Sequence, residues 1–329
     1  MYSIILYSDK YESEWDEFVM NAAVGGTFLH SRRFLNYHPK GRFKDASFLM
    51  KDEKGHLLAV CSACICEENG RNIFVSHKGS TFGGLLIHKK YYRTDIVLTL
   101  FEEMDVYLSS HYDGARLKLT LDLYSTDSQD LLKYCYQYFG FRCYRELNTY
   151  IDVKSLPNCV IDAFDRNKKR NIEKCELNNL TFRELSGRAE ICRFHELLAI
   201  NLSKYNLKPI HSPDELVEFN ENRLRNETKF YGVFKGDVMM AAGMMFVFEQ
   251  ANVIHAQNLS ADYTFTEYSP ITYLYYKVIE QAKRDGFSML TWGISTEDRG
   301  RVINTSLVRN KESYGSTYAL NETFCKDYK

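Results

Sequence analysis

The sequence predicts an α/β protein of the α+β type, with two similar domains in tandem. Each domain is expected to be a mixed, mainly antiparallel sheet flanked by helices. Three observations predict this. The length of 329 residues suits two ordinary domains. An apolar content of 45% is enough to form a sizeable core. The predicted elements occur twice in the same order, which indicates an internal duplication.

The first half is predicted to place two helices before a three-stranded meander. The helical segments are SEWDEFVMNA and HSRRFLNYH, and the meander in residues 47–80 has a Lys-Gly turn and an Asn-Gly turn. Residues 91–114 have apolar spacing near 3.6 and predict a helix that ends at Gly114. A strand (ARLKLTLDL), a helix opened by an Asp or Ser cap (DSQDLLKYCYQYFGF) and a strand (RCYRELNTYIDV) complete this half.

The second half repeats that order. Its helical segments are AEICRFHELLAINLSKYN and SPDELVEFNENRL, and residues 229–260 form its meander. The next helix has Ser269 as its N-cap and Pro270 at its first position. The strand FSMLTWGIS, the helix INTSLVRNKESYGS and the strand TYALNETF follow. We therefore expect domains at residues 1–157 and 158–329.

Charge and apolar patterning restrict the functional class. The 42 basic and 43 acidic residues balance, so no overall field points to nucleic acid. The start, MYSIILYSDKYESEW, lacks a basic n-region and reads as a strand. The longest apolar block, residues 238–248, is about half of what spans a bilayer. The expectation is a cytoplasmic protein that does not insert into membranes.

The cysteine-rich stretch CSACIC raises the question of a metal site. Cys61, Cys64 and Cys66 lie close together, but no second ligand pair follows at zinc-site spacing. As a strand, the stretch places Cys64 and Cys66 on one face and Cys61 on the other. We predict reduced core residues and no metal.

The duplicated order, with the stretches TFLHSRRFLNYH, KGSTFGGLL, NKKRNIEK and LVRNKESYGS, resembles the tandem-GNAT FemAB/FemX-like acyltransferase family. The resemblance covers nearly the whole chain. It implies an acyl donor, acyl-CoA with acetyl-CoA favoured, and no metal. It also implies that the first domain serves the acceptor and the second the donor and the chemistry.

The glycine-rich stretch HKGSTFGGLL, residues 77–86, could hold a phosphate, because glycine allows a close approach to backbone N–H groups. It has neither the order of a nucleoside-triphosphate loop nor the glycine pattern of a GNAT diphosphate loop. We interpret it as a loop lining the substrate groove, with Lys78, Gly79, Phe82 and Gly83 as substrate contacts. A tight loop without a ligand is the alternative.

The matching stretch of the second half, SADYTFTEYSPITYL, contains no glycine. Tyr268 and Ser269 stand where the resemblance places the cofactor-binding loop before the long helix. Ser269 and Pro270 favour the start of a helix here, but the Tyr268 side chain would crowd a diphosphate.

The junction between the halves, DRNKKRNIEK, concentrates positive charge. A similar stretch in the FemX-like group contacts the diphosphate of a nucleotide-linked acceptor, so Lys168 and Arg170 are candidate contacts, expected to face the inter-domain groove. A solvated charged face is the alternative.

The last predicted helix contains the candidate catalytic residues Lys311 and Tyr314. The resemblance places Phe-Lys before this glycine, so Lys311 fits the pattern and Asn310 departs from it. Lys311 would pair with an acceptor carboxylate or stabilise charge at the carbonyl under attack. Tyr314 is a candidate acid, with packing as the alternative.

A histidine on a strand supplies a candidate base. His255 and Gln257 stand two apart in NVIHAQNLS and share a face, so His255 would accept the proton of an attacking amine. A structural histidine is the alternative. Tyr205 and His211 resemble acceptor-side residues of the family.

Three functions remain open. The first is an N-acyltransferase acting from acyl-CoA on an amine of a nucleotide-linked sugar or a cell-envelope precursor. The second is a FemX-like aminoacyltransferase that uses aminoacyl-tRNA. The third is a non-catalytic binding module with a degenerate donor site. Direct amine attack needs mainly positioning, so the absence of a Ser-His-Asp set excludes none of these.

Overall fold

The structure, a computed structural model, describes residues 2–39, 41–204 and 206–328. The chain folds into two compact units, and neither unit is one uninterrupted stretch. The first contains residues 1–146, 298–301 and 320–329, and the second contains residues 147–297 and 302–319.

The helices and strands of the first half are β1 Ser3–Leu6, α1 Glu12–Glu17, α2 Arg32–Leu35, β2 Lys44–Asp45, β3 Phe48–Lys51, β4 Leu57–Glu68, β5 Arg71–Ser76, β6 Gly84–Ile87, α3 Thr94–His111, β7 Gly114–Lys118, α4 Asp130–Tyr138 and β8 Arg142–Asp152.

Those of the second half are α5 Arg166–Leu177, β9 Thr181–Glu184, α6 Gly187–Ser203, α7 Pro213–Glu218, β10 Thr228–Lys235, β11 Val238–Phe248, β12 Val253–Ala261, α8 Pro270–Arg284, β13 Met289–Ile294, β14 Thr296–Glu297, β15 Val302–Ile303, α9 Thr305–Glu312 and β16 Thr317–Asp327.

The first unit has the strand order β1-β3-β4-β5-β7-β16, with β2 and β6 paired to β4. The pairs are antiparallel except β5 and β7, which are parallel from Ile73 and Gly114 onward. α3 covers the sheet because its apolar residues recur every three or four positions, and Phe101 and Met104 pack with Leu117 and Phe324. The last strand of the chain thus completes the first unit.

The second unit has the strand order β8-β13-β12-β11-β10-β9. Its meander β10-β11-β12 is antiparallel, and β12 runs parallel to β13. α8 packs Leu274 and Ile279 with Ile254 in the core of this unit. Residues 148–152 of β8 pair with β13 here, so the last strand of the first half completes the second unit.

The predicted fold class is confirmed, as is the meander of each half. Asn69 and Gly70 both have positive φ, as the two-residue turn between β4 and β5 requires. Three details of the first half were wrong. α3 ends at His111, and Gly114 instead opens β7. The strand predicted as ARLKLTLDL is regular only to Lys118. Gln129 holds the N-cap position of α4 without a side-chain cap.

Two further observations bear on function. No described helix is both long and apolar enough to cross a membrane. Among the described residues, no three His, Cys, Asp or Glu side chains are grouped so that they could hold a metal ion. The predicted alternation of CSACIC is confirmed, since Cys61 packs in the helix-covered core while Cys64 and Cys66 pack on the opposite face of β4.

Candidate active site

The centre of the second unit is an opening between two parallel strands. β12 and β13 pair only over Val253–Met289, Ile254–Leu290 and His255–Thr291, although both strands continue further. The antiparallel pairings of these two strands also shift in register. The β11–β12 pairing shifts between Met244 and Met245, and the β13–β8 pairing shifts between Thr291 and Gly293. The unpaired strand ends leave backbone groups and side chains available to a bound molecule.

His255 stands at the last paired position of this opening. Its Nδ1 lies 2.7 Å from the hydroxyl oxygen of Thr291. Burial, and then the positive charge of Lys311, lower the pKa of His255 to about 4, while a hydrogen bond with Gln257 acts in the opposite direction. The predicted shared face of His255 and Gln257 is therefore confirmed, and the imidazole is neutral at physiological pH.

Gly293 allows β13 to pass close to this ring. Its φ is +74°, and a β-carbon there would lie 3.3 Å from Cε1 of His255. A larger residue would both strain the backbone and press on the imidazole.

Lys311, on α9, is the most unusual charged group of the unit, because it is only 3% exposed. Its Nζ donates to the carbonyl oxygens of Gly293 (3.0 Å) and Ile294 (3.3 Å) and to the hydroxyl of Ser295 (2.7 Å). These three acceptors match the three hydrogens of an ammonium group. Burial lowers the pKa of Lys311 to about 8.

Lys168, on α5, lies beside the same helix α9. Its Nζ donates to Oδ1 of Asn310 at 2.7 Å and stands 4.6 Å from the ring centroid of Tyr314. Burial lowers the pKa of Lys168, partly offset by Asp165. α5 is helical as expected, and Arg170 is exposed on it. In the basic junction, Lys168 is therefore hydrogen-bonded to α9, whereas Arg170 is exposed to solvent.

Tyr314 is enclosed by aromatic rings. It is 1% exposed, stacks on Tyr275 at 5.0 Å and meets Phe164 edge-on at 5.2 Å. Burial raises the pKa of its phenol well above the usual value, while a side-chain hydrogen bond with Thr272 lowers it. The phenol is therefore protonated at neutral pH and reaches the first turn of α8.

The start of α8 is built differently from a glycine-rich turn. Ser269 is the N-cap residue, as predicted, but its backbone is left-handed with φ 53° and its side chain caps nothing. Its carbonyl accepts from the N–H groups of Thr272 and Tyr273, and Pro270 has no N–H. The thiol of Cys175 donates to the carbonyl of Tyr268 at 3.0 Å, and Lys235 lies 3.9 Å from the centroid of the Tyr268 ring.

Of the two predicted acceptor-side residues between α6 and α7, Tyr205 lies outside the described residues. The carbonyl of His211 accepts from Nε2 of His195 at 3.1 Å, and the His211 ring meets Phe219 edge-on at 5.2 Å. Ser212 and Glu215 form a complete capping box for α7.

In the first unit, protein atoms occupy the space beside two glycines of HKGSTFGGLL, Gly79 and Gly83. A β-carbon on Gly79 would lie 1.8 Å from Nε2 of His38. One on Gly83 would lie 2.9 Å from the carbonyl oxygen of Ser62, and the N–H of Gly83 donates to Lys118. These glycines therefore serve close packing of the loop.

The other two predicted contacts of this loop differ in exposure. Phe82 is 1% exposed and packs against Tyr124, so it is a core residue. Lys78 is exposed, and its pKa is raised, first by a hydrogen bond with Cys66. Lys78 is thus the most accessible of the four predicted contacts.

The sequence interpretation missed Thr291, Gly293 and Ser295, which hold His255 and Lys311. A signal was present, because TWGIS interrupts a buried strand with hydroxyl residues and a glycine. The sequence interpretation paired His255 with Gln257, and the structure adds two contacts among the candidate residues: His255 with Lys311 and Lys168 with Tyr314.

Part of the sequence matches a known protein family. A family model described as an acetyltransferase (GNAT) domain matches residues 163–299. No curated protein matches the sequence significantly.

Several solved structures share the fold at low sequence identity. FemX matches with a TM-score of 0.68 and 10% identity over 98% of this chain and 96% of FemX. L-PGS from Bacillus licheniformis matches with a TM-score of 0.60 and 10% identity over 97% of this chain and 92% of that one. A tandem GNAT protein from the clavulanic acid biosynthesis pathway matches with a TM-score of 0.56 and 9% identity over 100% and 99%. Residues 163–299 thus match an acetyltransferase (GNAT) domain, and the chain as a whole has the fold of FemX and of a tandem GNAT protein.

Proposed function

We propose that the protein is an N-acyltransferase that moves an acyl group from acyl-CoA, with acetyl-CoA favoured, to an amine of a nucleotide-linked sugar or cell-envelope precursor. The second unit would bind the donor and carry the chemistry. The observation that carries this proposal is the buried ammonium group of Lys311 beside the opening between β12 and β13.

The reaction needs stabilisation of one developing charge. The amine nitrogen attacks the thioester carbonyl carbon, and the carbonyl oxygen becomes an oxyanion. The C–S bond then breaks, and the nitrogen loses a proton as CoA leaves as a thiol. A fixed cation in a water-poor site stabilises an oxyanion far better than one in water. Lys311 would release its longest hydrogen bond, 3.3 Å to Ile294, and donate to the oxyanion.

His255 would assist the proton transfer. Thr291 hydrogen-bonds Nδ1 and Gln257 also hydrogen-bonds the ring, so these two side chains would orient the imidazole toward the reacting amine. A pKa of about 4 makes His255 a weak base. It would therefore act on the ammonium of the tetrahedral intermediate, which is more acidic than the free acceptor ammonium. Tyr314, which stays protonated, is proposed as a donor toward the leaving sulfur.

The acceptor contacts are proposed from charge and exposure. Arg170 is exposed on α5 and suits a diphosphate, and Lys168 orders Asn310 beside Lys311. In the first unit, Lys78 is the proposed acceptor contact of the glycine-rich loop, since Gly79 and Gly83 are packed against protein atoms. His211 and Gln257 are proposed as further substrate contacts, and Tyr268 and Ser269 as donor contacts.

A second candidate function is aminoacyl transfer from aminoacyl-tRNA. The start of α8 favours it, because Pro270 lacks an N–H and two N–H groups already donate to Ser269, so few donors remain for a CoA diphosphate. The same chemistry would act on an ester, with a ribose hydroxyl as the leaving group. The resemblance to FemX supports this candidate as well.

Thermal stabilisation separates the two candidates, because a ligand that binds the folded state raises the melting temperature by mass action. We would compare acetyl-CoA, longer acyl-CoAs and UDP-sugars as ligands, and then assay acyl transfer from each stabilising acyl-CoA and from aminoacyl-tRNA. Stabilisation by a CoA species followed by amine acylation supports the first candidate. Stabilisation by UDP-sugars alone, with transfer from aminoacyl-tRNA, supports the second. Neither transfer occurring would contradict both.

A further inference from the structure

The first unit contains a basic pocket that the proposed reaction does not use. Its volume is about 250 Å³, and it lies among the ends of β5, β7 and β16 and the segment of residues 298–301. We call it the arginine pocket. Five cationic side chains line it: Arg71, Arg116, Arg142, Arg299 and Lys326. The acidic residues that line it are Glu68 and Asp327.

These carboxylates do not balance the cations. Glu68 binds Arg116 through both carboxylate oxygens. Asp327 is shared, since it accepts from Arg71 at 3.2 Å and from Arg142 at 2.9 Å. Five cations and two acids leave an excess of three positive charges, or two when Asp105, which binds Lys326, is included. The whole chain has a net charge of −1, so this excess is local.

Arg299 contributes one of these unbalanced charges. No ion pair of this side chain occurs within the part of the chain that the structure describes. Its positive charge acts on two neighbours in the pocket region, because it lowers the pKa of Tyr144 and of Cys325, although burial raises both pKa values overall. Arg299 is exposed, so an external anion can reach its guanidinium, and no ion pair has to be broken first.

The backbone holds Arg299 there at a cost. Asp298, Arg299 and Gly300 have successive positive φ angles of 44°, 57° and 83°. At Gly300, a β-carbon would lie 1.9 Å from the carbonyl oxygen of Arg145, so no other residue fits. Left-handed backbone at residues other than glycine is unfavourable and concentrates at functional sites.

We propose that the arginine pocket binds the phosphate group of a small molecule. The planar fork of a guanidinium matches phosphate oxygens through paired hydrogen bonds, and several forks converge here. The volume lies below the roughly 300–1,000 Å³ of pockets that enclose drug-sized ligands, so the pocket suits one phosphate group with the rest of its molecule outside.

Phosphate titration of the purified chain tests this directly. Binding of inorganic phosphate and of glycerol 3-phosphate would be measured by calorimetry, with chloride at matched ionic strength as the reference. We expect saturable binding that Arg299→Gln weakens by roughly ten- to hundredfold, the range for one hydrogen-bonded charge. Arg299→Lys should bind more weakly than the native chain but better than Arg299→Gln, because it retains the charge and loses the fork.

Matched variants make the result specific. Arg142 is 80% exposed, so Arg142→Gln should fold and also weaken binding. Arg93 is an exposed arginine of the same unit outside the pocket, and Arg93→Gln should bind phosphate as the native chain does. Binding of both probes assigns the pocket to phosphate esters, and binding of inorganic phosphate alone assigns it to the free ion. No saturable binding, or unchanged binding in folded Arg299→Gln and Arg142→Gln, would overturn the proposal.

Discussion

The ammonium nitrogen of Lys311 lies 2.7 Å from the hydroxyl oxygen of Ser295, and no carboxylate pairs with it among the described residues. A buried cation without a counter-charge is unfavourable for folding, because burial removes its hydration. Carbonyl and hydroxyl dipoles supply only part of that lost interaction. An arrangement that is costly for stability is typical of a site selected for function.

Replacing Lys311 should therefore separate activity from stability. We expect Lys311→Ala and Lys311→Met to lower kcat by about a hundredfold, the scale for one lost electrostatic donor. The melting temperature of Lys311→Met should change little, because the substitution removes the cost of burying the charge and fills its volume. Lys174→Met, at an exposed lysine of α5, is the control for kcat and melting temperature. Native kcat in a folded Lys311→Met protein would show that Lys311 is only structural.

The pKa of Lys311 also predicts a pH dependence. With a pKa of about 8, the group is cationic below pH 8 and loses its proton above it. If the cation stabilises the oxyanion, kcat should decline above about pH 8. The profile of Lys311→Met on the same acceptor should lack this decline, so that ionisation of the acceptor amine cancels in the comparison. A profile of the variant parallel to that of the native enzyme would contradict the assignment.

The two cations of α5 should behave differently when they are removed. Arg170 is exposed, so Arg170→Ala should raise KM for a diphosphate-bearing acceptor and reduce its salt dependence, with an unchanged melting temperature. Arg225→Ala, at an exposed arginine outside α5, serves as the control. Equal kinetics of the two variants would make Arg170 a solvated surface charge.

Lys168 should matter for folding as well as for activity. Lys168→Ala removes the 2.7 Å hydrogen bond to Asn310, so we expect a loss of about 1 kcal/mol in the free energy of unfolding, together with a lower kcat. Urea denaturation and steady-state kinetics measure the two effects. If the free energy of unfolding falls by the expected amount and kcat does not change, Lys168 has no role in the site.

The packing interpretation of the glycine-rich stretch can be tested through His38. Gly79→Ala places a methyl group against the His38 ring, so it should destabilise the first unit by roughly 1–3 kcal/mol. In a His38→Ala background the same substitution should cost much less, because the clash is gone. Urea denaturation of the four proteins of this cycle gives the coupling. Additive effects would mean that Gly79 is needed for another reason.

The cysteines of CSACIC are predicted to bind no metal. Cys61 and Cys64 lie on opposite faces of β4, so they cannot approach one ion together. Elemental analysis of the purified protein should find no stoichiometric zinc. Zinc that is present at one equivalent and lost in the Cys61→Ser, Cys64→Ser double variant would contradict this.

Much of this protein follows from its sequence alone. Alternation and 3.6-residue spacing predicted the meanders, the long helices and their repetition, because these patterns depend on neighbours within a few residues. The helix start at Ser269 and Pro270 and the shared face of His255 and Gln257 are local features of the same kind. The predicted end of the long helix at Gly114 was wrong, because tertiary pairing made Gly114 the first residue of β7.

Tertiary structure decided the rest. The exchange of β8 and β16 depends on pairing between segments far apart in the chain, which periodicity does not encode. Burial decided that Lys311 is a desolvated cation, that Phe82 is a core residue and that Arg170 is open to solvent. The charge excess of the arginine pocket, too, exists only where β5, β7, β16 and residues 298–301 meet. Such sites depend on distances that only the folded chain sets, because electrostatic and packing energies act through space and not along the sequence.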